Sequence, residues 1–380
     1  MKKSILYSLL IIFVSAIIIN PNDTMQAAKF GLDLCINTVV PSLLPFFILN
    51  HILIHTGFIS AVCKVFDKTI RKIFNLSANA VSSVVLGITS GYPLGAKTAV
   101  SLAEANEISE VEYERVIAFC NNAGPLFIIG TVGAGMYASN VCGYILFLSH
   151  LISAVLVGLL FRFYKKHDSR SNRVSMNVID RKSLVSVFTD AVGQSMITLL
   201  QVCGYIIFFS VVIYVCNLLG IIPGIADFLS FAFHLDAEQM KGVLSGILEM
   251  TSGIHLIASL ENTSLPLRLC LSSIILGWGG LCVHAQTAGI LGKHNKKTYL
   301  AGKTLQAMFS GLVTVFLCNI FPLPQTVPTV VQLPEQSFYF LPQNLKASAI
   351  LLGVNLLIFS VGYILLLIVE HRDKKRKAAH

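Results

Sequence analysis

Charge is what this chain has least of. Asp, Glu, Lys and Arg make up 12% of its 380 residues, against 54% hydrophobic residues and a mean hydropathy of +0.74. A soluble domain carries about a quarter charged residues, so that class is excluded and a polytopic integral membrane protein remains. Paired cysteines are also missing. The nine that occur stand singly, mostly in apolar runs, with no CxxC and no His/Cys ligand spacing, which excludes a disulfide framework, a structural zinc site and a redox centre. HExxH, GxSxG, a Walker loop and paired intramembrane aspartates are all absent, so neither catalysis nor ATP-driven pumping is expected, and no cofactor or metal.

Lysine and arginine are absent from three segments: Asn20 to Ala28, Gly220 to Gln239, and the Pro-rich stretch Phe321 to Asn344. Where they do occur they cluster, at Lys2 and Lys3, from Lys64 to Lys72, from Arg162 to Lys182, from Lys293 to Lys303, and in the tail HRDKKRKAAH. The basic clusters are expected to face the cytoplasm and the three bare segments to lie outside. The net charge of +9 then serves topology and anionic-lipid contact rather than nucleic-acid binding. The N-terminal run MKKSILYSLLIIFVSAIIIN ends in Asn20, Pro21, Asn22 and Asp23 with no small-residue cleavage site, and reads as a retained transmembrane helix.

Threading the apolar segments through these points predicts eight crossings, at about 4–19, 32–56, 115–134, 142–161, 194–219, 268–291, 304–320 and 345–369, with both termini cytoplasmic. Two apolar stretches are left over, 78–102 and 240–260, each interrupted near its middle by glycine, the first also by Pro93. Neither fits as a span without reversing the charge bias of the next loop. Both are predicted to be re-entrant helical hairpins, since irregular backbone at membrane depth is tolerated only inside protein or along a cavity.

The two stretches share a pattern. Leu86 to Leu94 and Leu248 to Leu256 have in common a Leu, a Thr-Ser-Gly core and a following Leu, and each precedes a broken apolar segment, CNNAGPLFIIGT or LGWGGLCVHAQT. By the charge map the first hairpin enters from the cytoplasm and the second from outside. The expected fold is therefore an all-α membrane protein of about eight transmembrane helices plus two hairpins in an inverted-topology repeat. In such an architecture paired interruptions point to a midplane substrate site. The segments divide as 1–56 (N-terminal helices), 57–161 (first repeat), 162–182 (basic cytoplasmic linker), 183–320 (second repeat), 321–344 (external loop) and 345–380 (last helix and basic tail).

SGYPLGAK in a hydrophobic hairpin, followed by CNNAGPLFI, resembles the sporulation integral membrane proteins of the YlbJ/SpoVV type, which carry two nucleoside-recognition, or Gate, domains. The resemblance runs over nearly the whole chain. Gate domains are related to concentrative nucleoside transporters, and the resemblance implies an endospore-formation role: moving dipicolinate across the outer forespore membrane. The paired interruptions predict alternating access as the mechanism.

Dipicolinate is a small planar aromatic dianion, and a site for it wants donors for two carboxylates, a cation and a flat wall. The expected substrate contacts are Thr89, Ser90, Gly91, Tyr92 and Lys97 at the first tip, Asn121, Asn122 and Gly124 at the first break, and Thr251, Ser252, Gly253 and His255 at the second tip. Glu249, His284 and Gln286 are candidates for ion coupling. Some have a plainer alternative: Lys97 snorkels to the interface, Asn121 and Asn122 cap a broken helix, and His255 and His284 serve packing. Glu249 is the exception, a candidate proton or sodium site or the partner of Lys97. Nucleoside transporters place an acidic residue at the first tip where this chain has Gly91-Tyr92-Pro93, which favours an anion; Glu249 keeps a nucleoside or cation substrate open. A non-transporting membrane scaffold is the rival of a different class. Expected partners are the small anionic substrate, the lipid bilayer and a further copy of the chain, and not nucleic acid.

Overall fold

The computed structural model describes residues 2–55, 67–165, 184–233 and 236–324, and among these it is helical with no strand. The last crossing at 345–369, most of the external Pro-rich loop, the basic tail and most of the basic linker lie outside the described residues.

Helix α1 (Lys2–Ile19) meets α2 (Pro21–Leu34) at a bend of 102° at Asn20, with Pro21 starting α2 where a missing N–H costs nothing. A π-helical turn, Cys35–Val39, joins α2 to α3 (Val40–His55). After α4 (Asp67–Phe74), Ser77 opens α5 (Ala78–Ser90) by accepting from the Ala80 N–H. Gly91, at φ 82°, ends α5, and Pro93 precedes α6 (Leu94–Glu104). The stretch 78–102 is therefore a hairpin of two short helices, as its interruption predicts. A Ser109/Glu112 capping box starts α7 (Glu110–Val116). Irregular backbone follows, then a π-helical segment, Leu126–Met136, and α8 (Asn140–Phe161). The expected crossing at 115–134 is thus two half-helices around a break at Asn121 to Gly124.

The second half opens with the 35-residue α9 (Leu184–Leu218) and α10 (Ile221–Phe233). Within the segment from Gly220 to Gln239 that lacks lysine and arginine, the apolar residues of α10 form a helix to Phe233, and Asp236 caps the next helix. Helices α11 (Ala237–Leu248) and α12 (Met250–Ala258) form the second hairpin. α13 (Leu265–Trp278) and α14 (Gly280–Leu291) are one broken span, parted at Gly279 and Gly280, whose φ of 89° and 79° suit glycine alone. α15 (Lys297–Ile320) closes the described chain. By length and apolar character, four helices among the described residues can cross a membrane, or up to six if each sharply bent pair counts as one span.

The two Thr-Ser-Gly triplets do not occupy equivalent places. Thr89 and Ser90 end α5 before the turn, whereas Thr251, Ser252 and Gly253 begin α12 after it. The second turn is made by Glu249 itself, with φ −140° and ψ 119°.

The hairpins close by backbone contact. A Cβ at Gly87 or Gly95 would stand 1.6 or 2.0 Å from the Cys120 carbonyl oxygen, so both arms of the first hairpin press on the chain just before the first break. Gly253 of α12 lies equally close to Gly246 of α11. Around this centre Leu199, Ile206, Ile254, Leu269, Ile275 and Leu276 form the buried core. Large apolar side chains such as Ile11, Ile18, Leu312 and Phe316 are exposed, the surface a bilayer would cover.

At one end of the bundle the halves are tied by polar contacts. Glu114 of α7 is bonded by Lys165, just after α8, and by Asn295 from the turn before α15, 2.6 Å away. The Arg115 guanidinium donates to the carbonyls of Asn75, Tyr164 and Lys165. Segments predicted to be cytoplasmic from their lysines and arginines therefore lie together. At the outer ends of the second hairpin, Gln239 Nε2 donates to Thr263 Oγ1 at 3.1 Å.

Candidate substrate cavity and its polar surround

Both hairpin turns and both helix breaks border one cleft. Gly91 and Tyr92 come from the first turn, Ala123, Gly124 and Phe127 from the first break, Glu249, Met250 and Thr251 from the second turn, and Cys282, Val283 and Gln286 from the start of α14. Val39 and Leu43 near the start of α3 and Val202, Tyr205 and Ile206 of α9 complete an otherwise apolar wall. Tyr205 and Phe127 supply rings.

Among the described residues, Glu249 is the charged side chain that lines this cleft. Its oxygens accept from the backbone N–H groups of Thr251 (2.8 Å) and Ser252 (2.7 Å), so it caps α12 and occupies that helix start itself. The start of α14 differs. Gly279 offers no side-chain cap, leaving the first N–H groups of α14, with their positive end of the helix dipole, beside the Cys282, Val283 and Gln286 wall. Gln286 is 8% exposed, and its Nε2 donor has no hydrogen-bond partner among the described residues.

Tyr92 links the cleft to a buried polar cluster. Lys303 of α15 donates from Nζ to Tyr92 Oη (3.1 Å), the Asn121 carbonyl (3.1 Å) and Gln306 Oε1 (2.8 Å). Gln306 Nε2 donates to Asn122 Oδ1 at 2.8 Å. The Ala123 N–H donates to His150 Nε2 at 3.2 Å, which places the imidazole proton on Nδ1. Asn122 Nδ2 donates to the Phe119 carbonyl and Asn121 Nδ2 to Thr287 Oγ1, so the asparagines do cap and brace the break.

The other expected site residues fall around this centre rather than in it. Thr89 Oγ1 donates back to the Val85 carbonyl of its own helix, and Ser90 is buried but does not line the cleft. Ser252 gives its N–H to Glu249, and Gly253 packs on α11. His255 tilts against Phe30 of α2, ring centres 5.8 Å apart. His284 Nδ1 is 2.8 Å from the Tyr299 hydroxyl and its ring stands edge-on to Trp278. The Lys97 side chain is exposed among the described residues, one turn into α6. It is neither at the cleft nor beside Glu249, and the cation that reaches the first turn is Lys303.

Lys303 escapes a reading by charge clusters because it ends the run Lys293 to Lys303 that looks like a cytoplasmic loop. The signal that marks it is spacing. Lys303, Gln306, Ser310 and Thr314 stand three or four residues apart, one polar stripe on an apolar helix, and all four are fully buried.

The nucleoside-recognition family, Gate, matches residues 36–176. The sporulation integral membrane protein YlbJ of Bacillus subtilis (strain 168) is 30% identical over 338 residues, 83% of each chain. The chain belongs to the YlbJ family of sporulation integral membrane proteins. Among solved structures, CNTnw in an inward-facing substrate-bound state aligns with a TM-score of 0.47 and 12% identity, over 81% of this chain and 85% of that one. A doubly substituted CNTnw in an outward-facing state aligns at 0.44 and 13%, over 82% and 91%. For this YlbJ-family chain the match to an integral membrane protein agrees with its composition and with its apolar spans.

Proposed function

We propose that this protein is a secondary transporter that carries a small planar organic anion, dipicolinate being the candidate, across the outer forespore membrane by alternating access. The observation that carries this reading is the convergence of both hairpin turns and both helix breaks on one cleft. Interrupted segments meeting at one point are the way carriers build a midplane site. Carboxylate recognition is supported by the uncapped start of α14 and the unpartnered Gln286 donor, and a flat ring by Tyr205 and Phe127. The hairpin-bearing elements would move against the outer helices while the site stays whole. No enzymatic step is part of this reading.

Glu249 favours a second reading. A carboxylate lining the cleft repels a dianion and welcomes a ligand that donates hydrogen bonds, such as the hydroxyls of a nucleoside. Uptake into proteoliposomes holding the purified protein separates the two. Flux of dipicolinate, and none of a nucleoside or a non-aromatic dicarboxylate, is expected; nucleoside flux alone would establish the alternative, and no flux of any solute would leave the scaffold role standing.

A further inference from the structure

Lys303 lies outside the cleft wall and carries a charge that no described carboxylate pairs. Its ammonium is fully buried, a costly state unless every donor is met, and each of its three donors is met by a neutral oxygen. The three oxygens come from three elements: the Tyr92 hydroxyl from the first turn, the Asn121 carbonyl from the first break, and the Gln306 amide from α15. The Asn121 carbonyl has a particular position. The helical turn of α7 runs on until the Cys120 N–H bonds the Val116 carbonyl, so Asn121 follows a half-helix C-terminus, where the dipole is negative. Neutral oxygens gathered from an unwound carbonyl and a half-helix end are the ligand set with which carriers hold a sodium ion at the midplane. The ring of Tyr92, 5.2 Å from Nζ, adds a further cation-favouring face.

We infer that Lys303 is a tethered cation, filling with its own ammonium an oxygen cage that would otherwise take a mobile alkali ion, so that this protein's cycle is not coupled to sodium or potassium. The absence of coupling rests on the transport reading given above; occupation of the cage does not. Two consequences follow. The turn and the break stay joined without an external ion, and the driving force must come from the substrate gradient or from protons.

Thermal unfolding of the purified full-length protein in sodium, potassium and choline chloride at equal ionic strength tests the cage without needing any substrate. The wild-type midpoint should be the same in all three salts. Removing the tether in Lys303→Ala should lower the midpoint in choline and make it rise with sodium or potassium concentration, and Lys303→Ser should behave likewise. Sodium stabilisation of the wild type over choline would overturn the inference. So would Lys303 variants whose midpoints ignore the cation. The wild-type measurement stands even where a variant does not fold. Flux into proteoliposomes with sodium replaced by choline on both sides then tests coupling. Unchanged flux is expected, and a fall in wild-type flux would overturn the claim of no coupling while leaving transport itself established.

Discussion

The Lys303 ammonium and the Tyr92 hydroxyl, 211 residues apart in sequence, stand 3.1 Å apart inside the protein. This contact ties α15 to the turn of the first hairpin, next to the cleft. Tyr92→Phe keeps the ring and removes one of three oxygens from a buried charge, which should cost about 1–3 kcal/mol of stability. Lys97→Ala, at an exposed position one turn further on, should stay within about 0.5 kcal/mol and leave transport unchanged. Unfolding midpoints and flux for the two variants side by side show which lysine serves the site. Loss of flux in Lys97→Ala with the stability intact would return that residue to the cleft.

Glu249 offers a test of ligand charge. Glu249→Gln keeps one acceptor oxygen for the α12 start, so stability should change by no more than about 1 kcal/mol. The negative charge at the cleft is lost. Two charges a few ångströms apart near a protein surface interact by several kcal/mol, so the affinity for a dianion should rise about tenfold or more. A nucleoside bound through its hydroxyls should instead bind more weakly. Calorimetric titration of wild type and variant with dipicolinate and with a nucleoside reads both directions, and tighter nucleoside binding by Glu249→Gln would contradict the second reading.

The hairpins were legible in sequence because their cause is local: glycine and proline interrupt apolar runs too short to cross the bilayer twice and too charged at their ends to be placed otherwise. The breaks at Asn121 to Gly124 and at Gly279 and Gly280 were legible for the same reason. The cleft's composition was less so. The Thr-Ser-Gly match put the second tip at Thr251, yet the turn is at Glu249, because a carboxylate that accepts two backbone N–H groups starts a helix one residue later. Lys303 was hidden by a rule that is right on average: lysines clustered after an apolar span face the cytoplasm. Only the buried stripe with Gln306, Ser310 and Thr314 separates it from its neighbours. His150 and its bond to the first break depend on how α8 docks, which no local pattern encodes.

Gly87 gives a packing prediction with an internal control. A methyl there would meet the Cys120 carbonyl oxygen at 1.6 Å, and that oxygen is backbone next to the first break, so it cannot turn aside. Gly87→Ala must spread the first hairpin from the break, at about 1–3 kcal/mol or more. Gly289, inside α14, has nothing within 4 Å of an added Cβ. Gly289→Ala should therefore be neutral or gain about 0.5–1 kcal/mol through helix propensity. A small effect of Gly87→Ala on the unfolding midpoint would mean that the hairpin and the break are not in contact.

Acid should loosen the tie between the halves at Glu114. Burial raises the pKa of this carboxyl, but the bonds from Lys165 and Asn295 outweigh it and hold the group below the ordinary value of 4.5. A folded-state pKa below the unfolded one means that the unfolded chain binds the proton more readily. The stabilisation is therefore complete above the ordinary glutamate value and disappears as pH falls through the lower folded value. Glu114→Gln cannot titrate and cannot attract Lys165 by charge, so it should be less stable than wild type near neutrality, and the difference should shrink as pH drops below 4.5. Unfolding midpoints of both proteins across that acid range check the sign: curves that run parallel would show that Glu114 holds α7 to the Lys165 and Asn295 turns by shape rather than by charge.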